Sequence, residues 1–253
     1  EEQKQEWLPR LASAEVMNAV AVTEPDYGSD VAGVKVMATK VDGGWRVNGQ
    51  KIWTSLGFAA EWGVLLARTN PKAPKHQGIT YFVVDMSTPG IKANALREAS
   101  GGTLFSEIFF DDAPALLIGE RQRGLITYVM SLMNGARVGI AAQALGIGEA
   151  AYRVARDYAH SRRQFDTEIE NFPAVRELLV GMSVDLQAAR ALTYHGSFCV
   201  DLEIGALKRL EFGNVEDPEE KKRLRQEARK YGRYNKLLTP MSKYYASEMS
   251  MRV

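Results

Sequence analysis

Hydrophobic residues change their period part-way along the chain. Through residues 16–111 they fall in short runs rich in β-branched and aromatic side chains, at 16–22, 34–41, 45–52, 62–68, 79–85 and 104–110. Turn signals separate the runs: PDYGSD, VDGG, VNGQ, NPKAP, STPG and SGG. Asp42-Gly43-Gly44 and Asn48-Gly49 readily supply positive φ and predict a hairpin near residues 40–50. Six or seven such strands predict an antiparallel barrel or sandwich.

From about Gly119 the spacing becomes helical. Residues 121–160 lack proline and space Leu125, Val129, Leu132, Met133, Ile140, Ala144, Ile147 and Ala151 as on one long amphipathic helix. A second helix is expected from Phe172-Pro173 to about Phe212, a third from Pro218 to near Gly232, and a fourth from Thr239-Pro240 to the end. The fourth has no visible stop signal, which suggests a truncated chain. The expected fold class is a multidomain α+β protein, an antiparallel β-barrel or sandwich followed by an incomplete antiparallel helix bundle. The expected domains are 1–15, 16–118 and 119–253, with a polar insertion at about 201–238. That insertion mixes acids and bases at short helical spacing, the pattern of a solvated helix face.

Composition removes several classes. With 32 basic and 31 acidic residues the net charge is +1, giving no general pull toward nucleic acid or anionic membrane. No apolar run is long enough for an integral membrane segment, and the charged start EEQKQEWLPRL is not a secretory signal. One cysteine, Cys199, forms no internal disulfide and fits a reducing compartment. His76, His160 and His195 are dispersed, so no metal site is expected, and neither a G-x-S-x-G elbow nor a Walker loop occurs. The glycines of GIGEA at 146–150 fall inside a helix. Glycine there costs about 1 kcal/mol, which implies a packing reason.

Four stretches carry a family resemblance: AVAVTEPDYGSD (19–30), KIWTS (51–55), SGGTLFSEIFFDD (100–112) and ARVGIAAQALGIGEAAYRVARDYAHSRRQF (136–165). In this order and spacing they resemble the FAD-dependent acyl-CoA dehydrogenase family over about residues 15–200, and the polar insertion is similar to that of a larger bacterial subgroup. The resemblance implies a flavin-holding middle β-domain between two helical domains, the first represented here only by residues 1–14 and the last incomplete.

It also implies a reaction: desaturation of the α and β carbons of an acyl-CoA thioester, with a carboxylate taking the α-proton and FAD taking the hydride. Val22 and Thr23 match donors to the pyrimidine edge of the flavin, where charge develops on reduction. Trp53 matches the tryptophan on the isoalloxazine face. Ser55 matches the hydroxyl on the hydride-accepting nitrogen; Thr54 is expected on the opposite strand face. Arg162, Gln164 and Phe165 match a loop that reaches a partner subunit's FAD, with Arg162 preferred to Arg163. Asp166 and Pro173 depart from that pattern, standing where glycine and glutamine are usual. Ser29, Ile126, Met130, Met133 and Arg137 match positions along the acyl-CoA channel, the arginine suited to a phosphate by its fork of donors. A core stripe of helix residues and an ordinary surface arginine stand as alternatives.

No residue matches the family's catalytic glutamate, which the resemblance implies lies beyond Val253. Ala136 occupies the alternative position on the long helix, and Glu149 and Glu168 do not align, so little dehydrogenation is expected of these 253 residues alone. The resemblance further implies a homodimer or homotetramer, an electron-transferring flavoprotein as acceptor, and a cytoplasmic location (the mitochondrial matrix in a eukaryote). An acyl-CoA oxidase and a non-catalytic subunit that binds flavin or acyl-CoA stand as alternatives.

Overall fold

A computed structural model of the chain describes residues 2–253; the side chains of Ile126, Thr127, Tyr128 and Ser131 lie outside the described residues. The chain forms two compact units, residues 1–131 and 132–253.

The first unit opens with helix α1 (Glu2–Ala12) and continues as seven strands: β1 (Asn18–Ala21), β2 (Met37–Val41), β3 (Gly44–Ser55), β4 (Trp62–Arg68), β5 (Ile79–Asp85), β6 (Ile91–Ala95) and β7 (Phe105–Ile118). They make the expected β-domain, of the barrel or sandwich type, as one mixed sheet: most pairings are antiparallel, and no barrel closes. β1 lies parallel to β4, β4 pairs antiparallel with β5, and β7 pairs antiparallel with β3, β5 and β6. β2 pairs antiparallel with β3 but meets β4 at a single register pair, Met37 with Arg68, so the curled sheet does not close into a barrel. Just ahead of β2, Arg68 N donates to Val36 O at 2.7 Å, and the Arg68 side chain donates from Nε to Val34 O at 2.9 Å and from Nη2 to Ala32 O at 2.7 Å.

The sheet's core is apolar and dense. Phe82, Leu65, Val47 and Ile108 are fully buried, and Trp45 meets Phe82 edge-on with centroids 5.3 Å apart. The expected hairpin joins β2 to β3 and turns at Asp42-Gly43, with Gly43 at φ +82°. Asn48-Gly49 instead forms a bulge in β3 against β7. There Gly49 takes φ +134°, and a Cβ on it would lie 2.8 Å from Val36 Cγ2. β6 was not expected from the sequence, and β7 runs eight residues beyond the expected end, through Pro114.

The expected helix at 121–160 begins as a π-helical turn, Gly124–Val129, and becomes α-helical over α2 (Met130–Ser161). Gly124 lies against β5, where an added Cβ would sit 2.6 Å from the Thr80 carbonyl carbon. A two-residue hairpin, β8 (Arg163–Gln164) with β9 (Thr167–Glu168), follows α2. Helix α3 (Pro173–Phe212) has the expected bounds.

The expected third and fourth helices are one. α4 runs unbroken from Pro218 to Arg252 through Gly232 and Pro240, started by the Asp217 carboxylate accepting from Glu219 N at 3.0 Å. Antiparallel packing along α3 overrides the two breakers. Asp185 meets Arg252, Gly196 meets Ser242, and Glu203 meets Asn235 along the seam. Glycine at 232 has a packing role, since a Cβ there would lie 2.6 Å from Glu203 Oε1. Gly148 on α2 is similarly crowded, its Cβ position 3.0 Å from Met249 Sδ and 3.2 Å from Leu186 Cδ2. The fourth helix was expected to lack a stop. Val253 N donates to Met249 O at 3.0 Å, so helical bonding continues to residue 253. Its half-buried side chain packs against the cluster of Ala141, Leu145, Leu186 and Met249. Among the described residues no helix is long and apolar enough to cross a membrane.

Candidate functional site

The stretch at 19–30 is the end of β1 followed by a tight turn. Glu24 and Tyr27 exchange both backbone bonds at 3.1 Å around Pro25-Asp26, and this corner stops the strand. Val22 is buried, Thr23 half-buried and Ser29 exposed. The Tyr27 ring lies against Gly33, where an added Cβ would be 2.2 Å from it, and Asp30 forms an ion pair with Lys75.

The second stretch, Lys51–Ser55, lies beside it. Ile52 N donates to Thr23 O at 2.9 Å. Lys51, fully buried, donates from Nζ to Val22 O at 2.8 Å and to Glu24 Oε1 at 2.9 Å. The Glu24 carboxylate, also buried, accepts from Lys35 N at 2.6 Å and Val36 N at 2.9 Å. Burial lowers the Lys51 pKa to about 8, against the opposing pull of Glu24. Neither Glu24 nor Lys51 was given a role from sequence. Both stand inside the quoted motifs, but alternation of polar and apolar residues does not reveal a charge turned inward.

A bulge then reverses the strand's faces. Lys51 opposes Ile108 and Thr54 opposes Ser106, so three steps along β3 match two along β7. Trp53 absorbs the extra residue at φ +59° and stands 58% exposed, touching Phe105 edge-on at 6.2 Å. Thr54 points inward, its Oγ1 buried without a partner, and Ser55 is exposed. A core role for Trp53 is therefore absent. An indole held outward in left-handed backbone, with Phe105 as its ring neighbour, is no part of the sheet's core; strain of this kind clusters at ligand sites.

Met130, Met133 and Arg137 occupy one face of α2 by their i, i+3, i+7 spacing. Met130 is 41% exposed, Met133 and Arg137 are half-buried, and Arg137 donates to Asn134 Oδ1 at 3.0 Å. The Ile126 side chain lies outside the described residues.

The SRRQFD loop is the β8–β9 hairpin. Phe165 and Asp166 both take positive φ, +51° and +63°, which makes a type I′ turn, and Phe165 is 92% exposed. Arg163 is spent within the hairpin on Glu168 and the Asp166 carbonyl, whereas Arg162 and Gln164 are exposed. Glu149 is held by Arg153 at 3.0 Å and Arg190 at 2.5 Å, hydrogen bonds that lower its pKa. Val253, which entered only as the point past which a glutamate is expected, packs against the apolar cluster of Ala141, Leu186 and Met249. An apolar cleft of about 430 Å³ lies elsewhere, between α1 and the sheet, lined by Trp7, Leu11, Trp62 and Val83 among others. None of the motif residues lines it.

Two family models match the chain, the acyl-CoA dehydrogenase middle domain over residues 19–113 and the acyl-CoA dehydrogenase C-terminal domain over residues 123–200. The chain belongs to the acyl-CoA dehydrogenase family. It is 39% identical over 202 residues to an acyl-CoA dehydrogenase of Bacillus subtilis, covering 78% of this chain and 53% of that protein. An acyl-CoA dehydrogenase of Mycobacterium tuberculosis is 50% identical over 111 residues, covering 44% of this chain and 16% of that one. The crystal structure of an acyl-CoA dehydrogenase from Geobacillus kaustophilus superposes with a TM-score of 0.74 at 28% identity, covering 99% of this chain and 71% of the other. The chain thus spans about half the length, or less, of these two curated relatives.

Proposed function

We propose that the full-length protein is an FAD-dependent acyl-CoA dehydrogenase, with residues 16–118 as its flavin-holding domain and residues 119–253 as part of its helical domain. The observation that carries the reading is Trp53. The bulge turns its indole outward beside Ser55, while Ile52 ties the same strand to Thr23 and Lys51 ties it to Val22 and Glu24.

The residues fit a flavin. The Trp53 ring offers a broad apolar face for stacking. Ser55 follows on the exposed side with a hydroxyl donor for the hydride-accepting nitrogen. Val22 and Thr23, at the strand end, offer backbone N–H and hydroxyl to the pyrimidine edge, preorganised donors where negative charge develops. FAD, when bound, supplies the hydride-accepting ring.

Arg162, Gln164 and Phe165 are read as a hairpin that reaches the FAD of a second subunit in a homodimer or homotetramer. An exposed phenylalanine and a free-standing arginine suit adenine and pyrophosphate. Ser29, Ile126, Met130, Met133 and Arg137 are read as the acyl-CoA channel, with Arg137 toward the CoA phosphates. No carboxylate of the chain is assigned the α-proton: Glu149 and Glu168 are held by arginines, and Ala136 has no acid. That role is left to a glutamate of the full-length protein past Val253. An electron-transferring flavoprotein is the proposed acceptor, in the cytoplasm or mitochondrial matrix.

The experiment is purification of the full-length protein, its visible spectrum, and anaerobic addition of straight and branched acyl-CoAs. A yellow protein bleached by at least one thioester is expected. A colourless protein that takes up no added FAD sinks the reading.

A further inference from the structure

The two motif segments are not joined by a strand ladder. β1 pairs with β4, and β3 pairs with β2 and β7. Between residues 22–24 and 51–52 the hydrogen bonds found are one backbone bond, Ile52 N to Thr23 O, and the two made by Lys51 Nζ. Glu24 extends the link to a third stretch by accepting from Lys35 N and Val36 N. One ammonium and one carboxylate therefore fasten three segments that the sheet leaves unladdered.

The same lysine abuts the bulge. In a regular strand Lys51 and Trp53, two residues apart, would share a face. Here Lys51 is fully buried and Trp53 is turned out at φ +59°. A left-handed tryptophan persists only when both flanks are fixed. Thr54 and Ser55 are fixed on one flank by pairing with Ser106 and Phe105. Lys51 fixes the other, by its pairing with Ile108 and by the bonds of its side chain.

We propose that the buried Lys51–Glu24 pair is the positioning element of the flavin wall: it locks the strand end bearing Thr23 to the bulge bearing Trp53 and Ser55, so that all three form one preformed surface. This rests on the flavin reading above. A buried ion pair is weak evidence for added stability, because apolar replacements are often as stable. What an apolar side chain of similar length lacks is the directed bond to Val22 O and the clamp on Glu24. A preformed surface binds more tightly because less order is lost on binding.

The test uses the full-length protein and three forms: Lys51→Met; Lys51→Met with Glu24→Gln, which leaves no unpaired buried charge; and Ile79→Val, a core change at the start of β5. Each is scored by far-UV circular dichroism, thermal midpoint, FAD dissociation constant of the apoprotein, and the potential and visible band shape of bound flavin. The double variant is expected to fold, to bind FAD at least tenfold more weakly, and to shift the potential and band shape, while Ile79→Val stays within twofold of wild type. Lys51→Met is expected to bind no better than the double variant. FAD binding by the double variant within twofold of wild type, with an unchanged potential, overturns the positioning role. So does an equal loss in Ile79→Val at a matched midpoint, or a double variant that does not fold at all, since the pair would then be a stability element. A wild-type protein that binds no FAD overturns the flavin reading itself, a separate result.

Discussion

Lys51 Nζ lies 2.9 Å from Glu24 Oε1, and both side chains are sealed from water. Desolvation lowers the lysine from 10.5 to about 8, with Glu24 pulling the other way. Below about pH 8 both folded and unfolded chains carry this charge, and the burial penalty is fully present. Between about 8 and 10.5 the unfolded chain holds the proton more firmly than the folded one. Lys51's contribution to stability therefore rises with pH across that window. Denaturant titrations of wild type and Lys51→Met at pH 7, 8, 9 and 10 are expected to show the difference moving in favour of wild type; a flat difference contradicts it.

Trp53 gives a test in which two small residues behave differently. Alanine keeps the left-handed strain, whereas glycine relieves it, so Trp53→Gly is expected to be more stable than Trp53→Ala by about 1 kcal/mol. That order is the reverse of the usual one in a strand. Both variants are expected to bind FAD at least tenfold more weakly than wild type. Thermal midpoints and FAD titration read the two effects separately.

At the tip of the β8–β9 hairpin, Asp166 occupies the second of two positive-φ positions. Glycine suits that position, so Asp166→Gly is expected to stabilise the protein by about 0.5–1 kcal/mol. It also removes a negative charge from the hairpin that follows Arg162. If this hairpin meets FAD pyrophosphate, FAD binds more tightly to the variant, and the gain shrinks with added salt.

Gly232→Ala sets helix propensity against packing. Alanine gains about 1 kcal/mol in a helix interior. Its Cβ, however, would press on the Glu203 carboxylate, whose Oε2 accepts from buried Asn235 Nδ2 at 2.7 Å. Asn235 Oδ1 already lacks a partner, and orphaning the amide further costs about 1–3 kcal/mol. A net loss of about 1 kcal/mol is expected by denaturant unfolding; a net gain contradicts the packing account.

Much of the architecture was legible because the hydrophobic period changes sharply near Gly119. β4, β5 and α3 fall at the expected residues because turn signals or Pro173 bound them. β6 escaped because IKANA is too polar and short to stand out from a loop. Gly232 and Pro240 misled because local breaking signals do not reveal the α3 surface that α4 lies along. At the site, motif matching pointed to Trp53 and Ser55. The bulge that separates Trp53 from Lys51 has no sequence mark, since no glycine occupies it. The inward turn of Lys51 and Glu24 is a tertiary fact, settled by bonds to Val22, Lys35 and Val36 that only folding brings near.

Arg68, at the end of β4, holds the segment that leads into β2: its main-chain N–H donates to Val36 O at 2.7 Å and its side chain to Val34 O and Ala32 O. Loss of the guanidinium would take a charged donor from two carbonyls while leaving the main-chain bond in place. One side chain thereby sets how the turn at residues 31–34 is seated on the sheet, apart from the strand pairing itself.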